Sequence, residues 1–103
     1  MKILTNDNFE HEIGEHAGIA VVDFYADWCG PCKVMAPVLE EVSKKMHEIK
    51  FAKVNVDDQH EIAEEYDVMS IPTFIIFKDG KEAGRFLGAR GKSDFIDEIK
   101  KYK

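Results

Sequence analysis

The sequence predicts an α/β fold, a single domain over residues 1–103 with helices on both faces of a mixed sheet. Three observations point there. Apolar runs of strand length alternate with segments whose apolar residues recur at helical spacing. The order of these segments reads βαβαβαββα, with no repeat, linker or low-complexity stretch to suggest a second unit. The last two strand segments are separated by a tight turn, which makes that pair antiparallel and the sheet mixed.

Taken in order, "MKIL" is a short strand candidate, and "NDNFEHEIGEHA" repeats Phe9, Ile13 and Ala17 at helical spacing, with Thr5 or Asn6 available as a cap. "GIAVVDFYA", residues 18–26, is almost continuously apolar, the pattern of a strand covered on both faces. The next segment carries Met35, Val38, Leu39, Val42 and Met46 on one helical stripe. Pro37 lies inside it and removes one backbone donor, so a kinked but continuous helix is expected. "IKFAKVNVD" predicts a second buried strand and "DQHEIAEEYDV" a short helix packing Ile62, Ala63 and Tyr66. "TFIIF", "KDGK" and "EAGRFL" read as a hairpin turning at Asp79-Gly80. Ser93 is the expected cap of a closing helix that buries Phe95, Ile96, Ile99 and Tyr102.

Composition narrows the function. The 103 residues are 45% hydrophobic and 33% charged, enough apolar material for one core without a staple. The formal net charge is -6, so no basic stripe is present to neutralise nucleic acid or anionic lipid, and neither is an expected partner. The opening "MKILTNDNFE" lacks a signal peptide's apolar core, and no apolar run approaches spanning length; a cytoplasmic location is the expectation.

The two cysteines, Cys29 and Cys32, follow the end of the second strand and begin a helix, outside the carboxyl end of a strand where α/β sheets place ligand chemistry. A zinc clamp needs four ligands, and this C-x-x-C has no second cysteine pair, while His11, His16, His47 and His60 are scattered. A structural disulfide would close too short a loop to restrain the unfolded chain much. If Cys29 is the N-cap, then Gly30, Pro31 and Cys32 occupy N1 to N3, and proline is tolerated in that turn. The Cys29 sulfur then accepts from the Cys32 N–H at the positive end of the helix dipole, which favours its thiolate. N-cap and N3 side chains reach towards one another, so Cys32 is placed to resolve a mixed disulfide formed at Cys29.

Three further residues stand out. Asp23 interrupts the apolar run "AVVDFY" with apolar neighbours on both parities; buried, its pKa would be raised and it could exchange a proton with Cys32, and the alternative is a solvent-facing edge position. Lys53 interrupts "FAKVNV" in the same way, either as a partner of Asp23 or as a lysine snorkelling from a strand end. Pro72 in "MSIPTF" lies where a tight turn is needed; local sequence alone gives a cis bond in only about 5% of such cases.

"WCGPCK" after "VVDFYAD", the proline five residues beyond Cys32, "KVNVDD", "SIPTF", "FKDGK" and "LGA" together resemble the thioredoxin family over essentially the whole chain. That resemblance implies a central five-stranded mixed sheet flanked by four α-helices. It implies that Cys29 is the exposed nucleophile and Cys32 the buried resolving thiol, that Asp23 transfers a proton to Cys32, and that Lys53 is its neighbour. Pro72 resembles the family's cis-proline, whose preceding residue, Ile71, pairs its backbone with substrate. Trp28, Gly30, Pro31, Ile71, Gly88 and Ala89 match the shallow apolar surface on which an extended peptide lies like an added strand.

Gly30 and Pro31 between the cysteines resemble reducing members, since a histidine before the second cysteine, absent here, marks oxidants and isomerases. The implied activity is reduction of protein disulfides by a cytoplasmic monomer, with no bound cofactor and no metal, re-reduced by a thioredoxin reductase with electrons from NADPH. The alternatives are a docking subunit that uses the groove without turnover, or a disulfide isomerase or oxidant. Two positions depart from the pattern: Tyr25, where many bacterial members have tryptophan and where altered packing rather than altered chemistry is expected, and Met69, which could adjust partner docking.

Overall fold

Residue parity on the strands divides the core in two. The computed structural model describes all 103 residues. Its strands are β1 (Lys2–Ile3), β2 (Ile19–Tyr25), β3 (Lys50–Asn55), β4 (Thr73–Lys78) and β5 (Lys81–Leu87). They form one sheet in the order β1-β3-β2-β4-β5. β1 and β2 both run parallel to β3, whereas β4 is antiparallel to β2 as well as to β5. The antiparallel part is therefore larger than the hairpin alone, because β4 inserts between β2 and β5.

Helix α1 (Gly30–Lys45) and helix α3 (Lys92–Lys100) cover one face, where Val21, Phe51, Phe74 and Ile76 meet Met35, Leu39, Val42, Phe95 and Ile99. The opposite face presents Ala20, Val22, Phe24, Val54, Ile75 and Phe77 to Phe9, Ile13 and Ile62, the last from helix α2 (His60–Glu65). Burial on both faces explains why β2 and β4 read as unbroken apolar runs.

The first helical segment differs from the expected α-helix: it is a π-helical turn over Glu10–Gly14. Thr5 and Asn8 begin the segment by exchanging bonds, Thr5 N–H to Asn8 Oδ1 at 2.8 Å and Asn8 N–H to Thr5 Oγ1 at 3.2 Å. The widened turn closes with Glu15 N–H donating to the Glu10 carbonyl, five residues back, and leaves Ala17 exposed beyond the helix. Helix α1 runs without interruption through Pro37. The closing helix begins before Ser93, with Gly91 at the N-cap and no side-chain cap. Phe95 and Ile99 are buried; Ile96 and Tyr102 pack at the rim of that cluster.

The hairpin turns at Asp79 and Gly80, both with positive φ, as a two-residue type I′ turn requires. Asp79 also docks the turn on Gly18, accepting its N–H on Oδ1 at 2.8 Å and donating its own N–H to the Gly18 carbonyl at 2.9 Å.

Candidate active site

Odd-numbered residues of β2 face helix α1, so Val21 enters the core, Asp23 lies beneath the start of α1, and Tyr25 reaches the strand's end. Four residues after the end of β2, Cys29 precedes the first residue of α1. It is the N-cap, with extended backbone (φ -85°, ψ 113°), and its sulfur accepts the Cys32 N–H at 3.2 Å. Pro31 occupies the first turn, where its missing donor costs no intrahelical bond. The expected cap geometry is therefore present, and it holds the Cys29 sulfur against the N-terminal end of the helix dipole.

Cys29 and Cys32 are joined as a disulfide, with their Cα atoms 5.2 Å apart. In this state Cys29 is not the exposed member of the pair: it is 4% exposed and Cys32 5%. The reason is local packing, since both sulfurs sit with Ala26 in a small apolar cluster closed by Tyr25, Val56 and Ile71. Gly30 and Pro31, by contrast, are exposed on the first turn.

Asp23 is buried, at 4% exposed, which excludes the edge-strand alternative. Its Oδ1 has no hydrogen-bond partner. Desolvation pushes its carboxyl up to about 7, against the opposing pull of Lys53. Asp23 and Cys32 line one cavity of about 200 Å³ together with Tyr25, Ala26, Asp27, Lys33, Ala36 and Lys53. That volume is well above the roughly 10–15 Å³ a cavity needs to hold one water, so water fits between the residues that line it. Lys53 stands opposite Asp23 in the β2–β3 register, but its ammonium lies over the Tyr25 ring, 4.8 Å from the centroid.

The Ile71–Pro72 peptide is cis. Ile71 packs on the cysteine cluster, and the Pro72 carbonyl accepts the Gly88 N–H at 2.9 Å, which brings the Gly88–Ala89 loop to the same end of the sheet. Trp28 lies on the surface, 69% exposed, with its indole Nε1–H donating to Asp57 Oδ2 at 2.8 Å. Met69 is 91% exposed beside this segment. Sequence reasoning missed Asp57, whose acceptor fixes the indole, and it missed Val56, which covers the sulfurs. Both lie in the second half of "KVNVDD", directly after the end of β3, and only the parallel pairing of β3 with β2 reveals that this stretch ends beside Cys29. No group of three or more His, Cys, Asp or Glu side chains is arranged to hold a metal ion, and no helix is long and apolar enough to cross a membrane.

With this geometry in view, comparison with known proteins is direct. The family model described as Thioredoxin matches residues 1–101. The chain is 42% identical over 102 residues to a thioredoxin of Chlamydia caviae, covering 99% of this chain and 98% of that one. It is also 42% identical over 100 residues to a thioredoxin of Mycoplasmoides gallisepticum, covering 97% and 100%. Among solved structures, that of Fasciola hepatica thioredoxin superposes with a TM-score of 0.92 at 44% identity over the full length of both chains.

Proposed function

Since this chain belongs to the thioredoxin family and is a protein dithiol–disulfide oxidoreductase with the pair Cys29 and Cys32, we propose how its residues divide the reaction. The whole chain acts as one domain. In the reduced protein the Cys29 thiolate attacks one sulfur of a substrate disulfide, forming a mixed disulfide and releasing the other substrate sulfur as a thiolate. Cys32 then gives its proton to Asp23 through water in their shared cavity and attacks the Cys29 sulfur. The Cys29–Cys32 disulfide closes, the second substrate sulfur leaves and is protonated, and two electrons have passed from protein to substrate.

The observation that carries this division is the Cys32 N–H donating to the Cys29 sulfur at 3.2 Å at the N-cap of α1. Only one of the two sulfurs receives both that hydrogen bond and the end of the helix dipole, so the two thiols are chemically unequal. The cavity that joins Cys32 to a carboxyl whose pKa is close to 7 supports Asp23 as proton acceptor at neutral pH. Lys53 lines the same cavity and adjusts that carboxyl through its charge.

Trp28, Ile71, Pro72, Gly88 and Ala89 form the surface on which an extended substrate segment lies, with the Ile71 backbone pairing as to an added strand. Gly30 and Pro31 tune the pair towards reduction, since neither supplies a positive charge to the thiolate. The partners are a thioredoxin reductase drawing on NADPH and proteins carrying accessible disulfides, met by a cytoplasmic monomer. A docking subunit is the less favoured reading, because a groove used only for contact requires neither the two thiols nor a buried carboxyl.

Reduction of a model protein disulfide by NADPH, thioredoxin reductase and this chain tests the reading. Turnover is expected with the parent and abolished in Cys29→Ser; turnover that survives the change overturns it.

A further inference from the structure

Lys53 and Asp23 are register partners on adjacent parallel strands, a placement from which a lysine and a carboxylate would ordinarily pair. Instead Asp23 Oδ1 is left without a partner, while the Lys53 ammonium sits over the Tyr25 ring at 4.8 Å. Tyr25 and Asp23 are two apart on β2 and so share the face that borders the cavity. The ring is thus the surface that competes with the carboxylate for the ammonium.

We infer that Tyr25 is a positioning residue for proton transfer at Asp23, its ring holding the Lys53 ammonium by a cation–π contact away from the carboxylate. This rests on the reading of Asp23 as the proton acceptor for Cys32. The charged and titratable groups around that carboxyl are few: Tyr25 on its own strand, Asp27 in the loop beyond, Lys53 on β3, and Cys32 and Lys33 on α1. Strand β4 contributes Phe74, which is uncharged. Lys53 is the one cation placed opposite Asp23 in the sheet, and its position sets how far the carboxyl is pulled down from the value that burial imposes. A cation on an aromatic face is held firmly enough for its release to alter an ionisation constant roughly three- to tenfold.

The test is a direct titration of the Asp23 carboxyl by carbon-13 NMR in the oxidised protein, for the parent, Tyr25→Leu, Tyr25→Phe, Lys53→Met and the double variant Tyr25→Leu/Lys53→Met. Tyr25→Leu frees the ammonium, so the midpoint falls by about half to one unit, a roughly three- to tenfold change in the ionisation constant. Tyr25→Phe keeps the ring and leaves the midpoint near the parent's. Lys53→Met raises the midpoint, and in that background Tyr25→Leu has no further effect.

An equal fall in the Lys53→Met background would overturn the inference, because Tyr25 would then act by shielding the cavity from water. No fall in Tyr25→Leu, or no rise in Lys53→Met, overturns it too. The readout is the carboxyl's own titration, so such a failure leaves the proton-transfer reading standing. That reading fails separately, by an unchanged resolution rate in Asp23→Asn.

Discussion

Asp23 and Cys32 come from different elements, the middle of β2 and the first turn of α1, yet line one cavity, and the Asp23 Oδ1 is buried without a hydrogen-bond partner. Burial therefore acts on Asp23 with little to offset it, and the carboxyl is held at about 7 instead of 3.8. An ionised carboxylate left this way costs folding free energy, and a carboxyl poised near neutral pH is what the proposed proton exchange with Cys32 needs.

The cost has a definite pH dependence. The native state keeps a proton on Asp23 that the unfolded chain has released between about pH 4 and pH 7. The associated stability is fully present below the unfolded pKa and is lost as pH rises through the folded one. Asp23→Asn has no such loss, so its stability relative to the parent should rise by about 2–3 kcal/mol between pH 5 and pH 8. Urea unfolding at a series of pH values checks this; a difference independent of pH would contradict it.

The same variant should slow the resolving step. With the acceptor gone, Cys32 must lose its proton to bulk water, and release of substrate from the mixed disulfide should slow on the order of 100-fold near pH 7.5. Rapid-quench measurement of the mixed disulfide follows it. A parent-like rate between about pH 6 and pH 8 would remove Asp23 from the reaction.

Trp28 offers a test of the substrate surface with little structural penalty. Its ring is mostly exposed, so Trp28→Ala should leave the unfolding midpoint nearly unchanged. It should lower kcat/KM for a protein disulfide by about tenfold, since an exposed aromatic anchor contributes mainly to contact with a partner. Asp57→Ala, which frees the indole, should fall between the parent and Trp28→Ala.

Gly80→Ala tests the hairpin. Gly80 has φ +84°, and a Cβ there would run into the carbonyl of Gly14 at the end of the π-helical turn. The left-handed backbone and the clash together should cost about 2–4 kcal/mol in denaturant unfolding. A neutral substitution would mean that the turn does not pack against that carbonyl.

Much of this was legible in the sequence wherever the signal is local. The N-cap position of Cys29 follows from Pro31 and the helical stripe beyond it, and the hairpin from Asp79-Gly80 between apolar runs. The π-helical turn was not legible, because Phe9 and Ile13 bury one face equally well in an α- or a π-turn. Nor was Ser93's displacement from the cap of the closing helix, since Gly91 can take the same extended conformation. The sequence made Asp23 and Lys53 candidate partners by their similar interruption of apolar strands. It could not show that an aromatic ring two residues along would take the ammonium instead, nor that in the disulfide Cys29 is buried as deeply as Cys32.

Which sulfur attacks is tested most directly by trapping the mixed disulfide. Reduced Cys32→Ser and Cys29→Ser are each mixed with the same disulfide-bonded substrate at neutral pH, and the adducts are located by mass spectrometry. Cys32→Ser should accumulate a covalent complex through Cys29, with Cys29→Ser forming little in the same time. Adducts forming equally fast through Cys32 would contradict the division of labour between the two thiols.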